Sequence, residues 1–243
     1  MKKSHPLDQL QSGVLDDSVP LAKLLRQVVI IGGNASSEAL QAWALRELQG
    51  YTDRQVELPD YRKLHAPLQA DFLTATGLHK GWTISVLDLP ENTRKDVSEE
   101  VPMSFSVRQI EALISDSDPA EPVKLTPLGS AELIRMMTLQ RRGQGVEVLA
   151  VYWSLHVSAL QDILDQVRTR LTQFVAALRT VMPEGQHEPT PDQVQRVVQT
   201  INIVTTGDNS PVSVTAPVAY AEQDARAVAL ADESPRRLWW RQR

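Results

Sequence analysis

The chain has 243 residues, of which 42% are apolar and 23% charged, with no cysteine and a formal net charge of −5. These values are typical of a folded globular protein, and they exclude wholesale disorder, a fibrous repeat, disulfides, a thiol nucleophile and a thiolate metal site. A reducing cytoplasm is the expected location because cysteine is absent. The mild acidity gives no overall electrostatic drive toward nucleic acid or an anionic membrane. No apolar run approaches the ~20 residues of a membrane helix, so no membrane span is expected.

The first fifty residues predict three helices. Apolar side chains at helical spacing favour a short amphipathic helix near residues 7–15, a second from about Pro20 to Ile31, and a third that bears Trp43 and stops at Gly50. The second and third helices are predicted to form an αα-hairpin. The residues expected to cap or close these helices are Ser18, Gly32, Gly33, Asn34, and Ser36 or Ser37.

Between residues 51 and 153, short segments of both strand and helix are expected. Proline and glycine separate runs that alternate in the strand manner, and capping residues precede the helical patterns. The predicted segments are a small β region at 51–89, a helix capped by Ser106 that ends at Ile114, an acidic loop at 116–127, a helix at 130–142 and a buried strand at 146–153.

The strongest periodic signal comes next in the chain. Apolar side chains from Leu160 to Val181 mark one face of a helix that ends before Pro183, and this helix is the expected spine of the core. A short helix is predicted from Thr190 through Val198. Residues 207–210 then favour a turn, and the β-hairpin around it is expected to carry on one face Ile201, Ile203, Val212 and Val214.

The predicted class is α+β, predominantly α-helical: a helical body with a small antiparallel β region and a C-terminal β-hairpin. Three parts are expected, namely an α-rich domain at 1–183, a short helix and hairpin at 184–217, and a tail at 218–243. An isolated hairpin is marginal in water, so its apolar face needs a cover. The same segment of another copy is the preferred cover, and a homo-oligomer is therefore expected.

No self-sufficient catalytic motif is present. Gly32-Gly33 after the apolar run 28–31 imitates a dinucleotide-binding turn, but the G-x-G-x-x-G spacing is absent. The five histidines are scattered without the i,i+4 pair of a helix-borne zinc site, and no G-x-S-x-G elbow occurs. We therefore expect no catalytic residue, no metal and no cofactor. A cryptic nuclease or nucleotide hydrolase remains the alternative, because acidic residues from distant segments can converge in a fold.

Several segments of the first 62 residues form a combined pattern. They are Asp16-Asp17-Ser18-Val19-Pro20-Leu21, Leu24-Leu25-Arg26, Trp43, Glu47-Leu48-Gln49-Gly50-Tyr51 and Glu57-Leu58-Pro59-Asp60-Tyr61-Arg62. Together with the helix at 160–171, this pattern resembles the AbiTii family of bacterial abortive-infection proteins over roughly the first 180 residues. The resemblance implies a role in defence against bacteriophage, in which infected cells are halted or killed. It carries over no catalytic residue, and we expect action by binding and assembly, as a sensor or an effector.

Two sets of residues are candidates for binding. Arg26, Asp60 and Arg62 are the polar members of the family-like pattern that helix ends and packing do not explain. Near the C-terminus, a basic-aromatic cluster includes Arg237, Trp239 and Trp240. Such a cluster can dock on a protein partner or another copy, stack on nucleic-acid bases, lie at a membrane interface or form an unstructured end. Docking on a protein partner, such as another member of a defence system, or on another copy is favoured over nucleic acid.

Overall fold

The structure is a computed structural model, and it describes residues 5–201 except residues 54, 96 and 119. Within these residues the predominantly helical α+β class predicted from the sequence is confirmed. The α-helices are α1 (Pro6–Val14), α2 (Leu21–Asn34), α3 (Glu38–Gln49), α4 (Val107–Asp116), α5 (Ser130–Arg141), α6 (Val157–Val181) and α7 (Pro191–Ile201). The strands are β1 (Lys63–His65), β2 (Leu68–Thr74), β3 (Gly77–Thr83), β4 (Glu100–Pro102), β5 (Val123–Leu125) and β6 (Glu147–Leu155).

The described strands form two antiparallel sheets. The larger has the order β3-β2-β6-β5, and the smaller pairs β1 with β4. Helices α4, α5 and the first turns of α6 share a core with the larger sheet. The buried residues of this sheet core include Leu68, Ile110, Met137, Val151, Leu160 and Ile163.

A second core lies among the helices. α1, α2, α3 and α7 pack there with the remainder of α6, and the buried side chains include Leu10, Leu25, Leu40, Phe174 and Val194. Helix α6 supplies Leu160 and Ile163 to the sheet core and then Val167 through Leu178 to this helical core. The prediction that this helix is the spine of the core is therefore confirmed.

The junction between α2 and α3 corrects the predicted helix ends. Helix α2 continues through both glycines to Asn34, and the left-handed residue is Ser36, with φ 51°. Gly32 has a packing role instead, because a Cβ there would lie 3.2 Å from the backbone nitrogen of Gln41 on α3. Ser18 does not cap α2, since its amide and hydroxyl both donate to Asp16 Oδ1, at 2.9 and 2.6 Å. The αα-hairpin itself is as predicted.

Two further boundaries differ from expectation. The predicted acidic loop contains β5, a three-residue strand that exists through its pairing with β6. Helix α7 continues beyond Val198 to Ile201, so the predicted strand does not begin at Ile201. Val194, Val197 and Val198 of this helix are buried in the helical core, and this packing extends the helix. Most of the predicted hairpin and the whole predicted tail lie outside the described residues.

Candidate functional site

A buried ion pair occupies the boundary between the two cores. Glu47 on α3 and Arg62 in the 3-10 turn Asp60–Arg62 are both 0% exposed, and the Arg62 guanidinium donates to Glu47 Oε2. The same guanidinium donates to the carbonyl oxygens of Phe105, at 2.6 Å, and Met103, at 3.4 Å. Burying two charges is costly unless each is paired and hydrogen-bonded, and here both charges are paired and hydrogen-bonded, while Arg62 Nε is buried without a partner among the described residues.

Two tyrosines complete the shell of the Glu47 carboxylate. The Tyr51 and Tyr61 hydroxyls donate to Glu47 Oε1 at 2.6 and 2.7 Å, and Trp43 Nε1 donates to the Tyr61 hydroxyl oxygen at 3.1 Å. Burial, followed by the negative charge of Glu47, raises the pKa of both tyrosines far above its ordinary value. Both hydroxyls therefore remain protonated donors at any physiological pH.

The backbone around this polar cluster is held as closely as its side chains. Gly50 has φ 90°, and a Cβ there would lie 2.8 Å from the carbonyl oxygen of Ser104. The Tyr51 amide donates to that carbonyl at 2.8 Å, and the Met103 amide donates to the Arg62 carbonyl at 2.8 Å. The cluster thus joins α3, the 60–62 turn and the segment between β4 and α4 into one unit.

A second anchor links α6 to the segment between α1 and α2. Arg168 donates to three backbone carbonyl oxygens, those of Gly13 at 3.3 Å, Asp16 at 3.2 Å and Val19 at 2.9 Å. The sequence pattern at 16–21 and the one at 160–171 are therefore in direct contact, although about 150 residues separate them. Arg170, two residues on, lies 4.1 Å from the centre of the Tyr61 ring and so reaches the buried cluster.

The structure places the predicted binding residues in different environments. Arg26 is exposed on α2, and Asp60 is partly exposed and accepts from Lys63 Nζ at 2.9 Å. Arg62 is enclosed, so any effect it has on binding passes through the loops that it holds. Ile201 ends α7, and its side chain is not described. The candidates outside the described residues are Ile203, Val212, Val214, Arg237, Trp239 and Trp240.

Sequence reasoning did not single out Glu47 or its tyrosine partners as members of one site. A signal was available, because Leu40, Trp43, Ala44 and Glu47 follow the helical period of the buried face of α3. A carboxylate at a core position requires a buried partner. Among the described residues, no group of three or more histidine, aspartate or glutamate side chains is placed to hold a metal ion. Likewise, no helix in the described ranges is long and apolar enough to cross a bilayer.

The fold and the buried cluster define a small α+β protein whose distant sequence patterns form its internal anchors. The family model AbiTii matches residues 7–203, which is most of the chain and nearly all of the described body. The chain therefore belongs to the AbiTii family, as the sequence pattern predicted, and the match extends some twenty residues past the expected limit near 180. By its name, this is a family of abortive-infection defence proteins. No curated protein and no solved structure matches the chain.

Proposed function

We propose that the protein acts in abortive infection of phage-infected cells by binding and assembly, as a sensor or an effector. The observation that carries this proposal is the family match over residues 7–203. The enclosed pair Glu47 and Arg62 supports a binding role indirectly, because it holds the surrounding loops in place. A rigid body with positioned loops is the usual platform for recognition.

An exposed apolar pair on the larger sheet supports recognition of a protein. Leu73 on β2 and Leu78 on β3 are cross-strand partners, and they are 42% and 51% exposed. Because directly opposite residues share a face, the two leucines form one surface at the hairpin end of the sheet. Exposed apolar side chains that adjoin one another are more typical of interaction surfaces than isolated ones are.

Assembly is assigned to the segment that follows α7. The sequence around residues 207–210 favours a hairpin whose apolar face carries Ile203, Val212 and Val214. Full burial of such side chains contributes about 1.5–3 kcal/mol each, which is enough to favour association of copies through this segment. The basic-aromatic residues Arg237, Trp239 and Trp240 would dock beside it.

A plaque assay tests the cellular part of the proposal. Host cells expressing the chain together with its neighbouring genes are challenged with a broad panel of phages, and cells carrying the same genes with an early stop codon in this chain are the matched control. We expect plaque numbers to fall at least tenfold for one or more phages. Equal plaque numbers on both strains across the panel would remove the defence role.

A further inference from the structure

A pocket of about 530 Å³ lies at one end of the larger sheet. The β2–β3 hairpin, the 3-10 turn Val86–Asp88 and the connection from α5 to β6 surround it. Its volume is within the range of roughly 300–1,000 Å³ that is typical of small-molecule sites. Neither the buried Glu47 cluster nor the exposed leucine pair contributes to its lining.

A β-bulge in β3 aims two aromatic side chains into this pocket. Ala70 faces Trp82 and Phe72 faces His79, so one residue of β2 opposes two residues of β3. Gly81 in the bulge has φ 69°, and its amide donates to Asp71 Oδ1 at 2.8 Å. Since Ala70 and Phe72 lie on one face of β2, their partners His79 and Trp82 lie on that same face. Bulges of this kind commonly re-aim side chains at functional sites.

The aromatic wall has one open ring, Trp82, and one ring fixed by hydrogen bonds, His79. Trp82 is 62% exposed, which is unusual for so large a side chain and leaves the indole available for stacking. The His79 ring is held by the hydroxyl groups of Thr74, at 3.1 Å, and Thr76, at 3.2 Å from Nε2. A planar ring that enters the pocket can therefore stack on the exposed Trp82 indole.

Arg141, at the C-terminal end of α5, supplies a positive charge without a counter-ion. Its guanidinium carbon lies 5.4 Å from the centre of the Phe72 ring, and the side chain forms no hydrogen bond or ion pair with any described residue. Its Nη1 atom is buried and unpaired within the described structure. Arg135 on the same helix, by contrast, makes two hydrogen bonds to Glu132, at 2.8 and 2.6 Å. Nη1 is closed to a ligand, so the donors that Arg141 offers to the pocket are Nε and Nη2, which can bind two phosphate oxygens side by side.

We propose that this pocket binds a nucleoside phosphate, with the base stacked on Trp82 and the phosphate bound by Arg141. Asp88, the carboxylate among the lining residues, accepts a hydrogen bond from a ribose hydroxyl or a base amino group. The same chemistry is presented by a free nucleotide and by the 5′-phosphate end of a nucleic-acid strand. The proposal goes beyond the defence role and stands independently of it, because binding is measured on the purified protein.

Isothermal titration of the full chain with adenosine, guanosine, cytidine and uridine monophosphates tests the site. The other titrants are adenosine, inorganic phosphate, and a short single strand with and without a 5′-phosphate. We expect at least one mononucleotide to bind at least tenfold more tightly than either the nucleoside or phosphate alone. If the 5′-phosphorylated strand binds more tightly than both the mononucleotide and the unphosphorylated strand, the ligand is the 5′-phosphate end of a strand. Otherwise the ligand is a free nucleotide.

Substitutions assign the binding to this pocket. Arg141→Gln and Trp82→Ala should each weaken binding at least tenfold, whereas Trp82→Phe keeps a stacking ring and should retain most of the affinity. Arg135→Gln, a change of the same type on the same helix but outside the pocket, is the control. Thermal melting verifies that each variant is folded. The absence of binding by every phosphate-bearing titrant, or unchanged affinity in both Arg141→Gln and Trp82→Ala, would overturn the proposal.

Discussion

At the scale of single residues, the enclosed Glu47–Arg62 pair makes the clearest energetic prediction. We expect Arg62→Met to lower the free energy of unfolding by about 3–5 kcal/mol, because it leaves the Glu47 carboxylate buried without its counter-ion. The double variant Glu47→Leu/Arg62→Met should be more stable than Arg62→Met alone, since it removes both charges. Urea unfolding measures all three free energies.

Lys63→Met is the matched control for this experiment. Lys63 is the next residue along the chain and pairs with Asp60, which is partly exposed, and with Glu57, which is exposed. Such pairs contribute about 0–1 kcal/mol, so the variant should unfold close to the wild-type midpoint. If Arg62→Met behaved like Lys63→Met, the buried pair would not have the anchoring role assigned to it.

Gly50 provides a second test at the residue scale. Its φ of 90° disfavours any other residue, and a Cβ would lie 2.8 Å from the Ser104 carbonyl oxygen. Gly50→Ala should therefore lower the free energy of unfolding by about 1–3 kcal/mol. The control is Gly143→Ala, where a Cβ would meet no atom within 4 Å. Equal unfolding midpoints for the two variants would show that the α3 terminus tolerates the added methyl group.

The partners of the buried cluster could be predicted only in part. The position of Glu47 on the apolar face of α3 is visible in the sequence and indicates that its carboxylate needs a buried partner, either a cation or hydrogen-bond donors. The identity of that partner depends on how the 60–62 turn and the segment after β4 approach α3, and these are contacts between distant parts of the chain. Arg62 was singled out as a polar member of the family pattern, but periodicity alone could not show that it is enclosed.

At the scale of elements, the Arg168 anchor ties α6 to the segment between α1 and α2. Arg168→Met removes hydrogen bonds to three carbonyl oxygens, so the free energy of unfolding should fall by about 1–3 kcal/mol. The amides of Val19 and Lys23, which are hydrogen-bonded in that segment, should exchange with solvent faster. Amide hydrogen exchange followed residue by residue measures the local effect.

Arg135→Met is the control for the Arg168 anchor, because Arg135 pairs with a residue of its own helix and is 64% exposed. It should leave exchange in the 16–24 segment unchanged. Accelerated exchange spread evenly over the whole body in Arg168→Met, without a local maximum at this segment, would contradict a specific link between α6 and the α1–α2 segment.

The elements that the sequence predicted well are those with a strong local signal. Helix α6 follows the 3.6-residue period over many turns, and Ser106 with Gln109 forms the reciprocal cap that starts α4. Strand β5 was missed because three residues in an acidic loop acquire strand structure only through pairing with β6. The sequence predicts a helix end at Gly32 and Gly33, whereas α2 continues through both. The close approach of Gly32 to α3 is a tertiary contact, which a local sequence pattern does not show.

At the scale of the whole molecule, the assembly proposal predicts the effect of truncation. Deleting residues 202–243 retains α7, whose buried valines belong to the helical core, so the truncated body should remain folded. We expect light scattering to show an oligomer for the full chain and a monomer for the truncated one, because the apolar face with Ile203, Val212 and Val214 is lost. A full chain that is monomeric, or an oligomer that survives the deletion, would contradict assembly through this segment.

The measurement that tests the central claim most directly is the fate of infected cells at two ratios of phage to cells. Cultures with the intact gene, and matched cultures with the early stop codon, are infected at about one phage per hundred cells and at several phages per cell. Abortive infection predicts that the intact culture grows at the low ratio and stops growing or collapses at the high ratio, while each infected cell releases few phages. Survival at both ratios, or lysis with a full release of phages at both, would contradict the account.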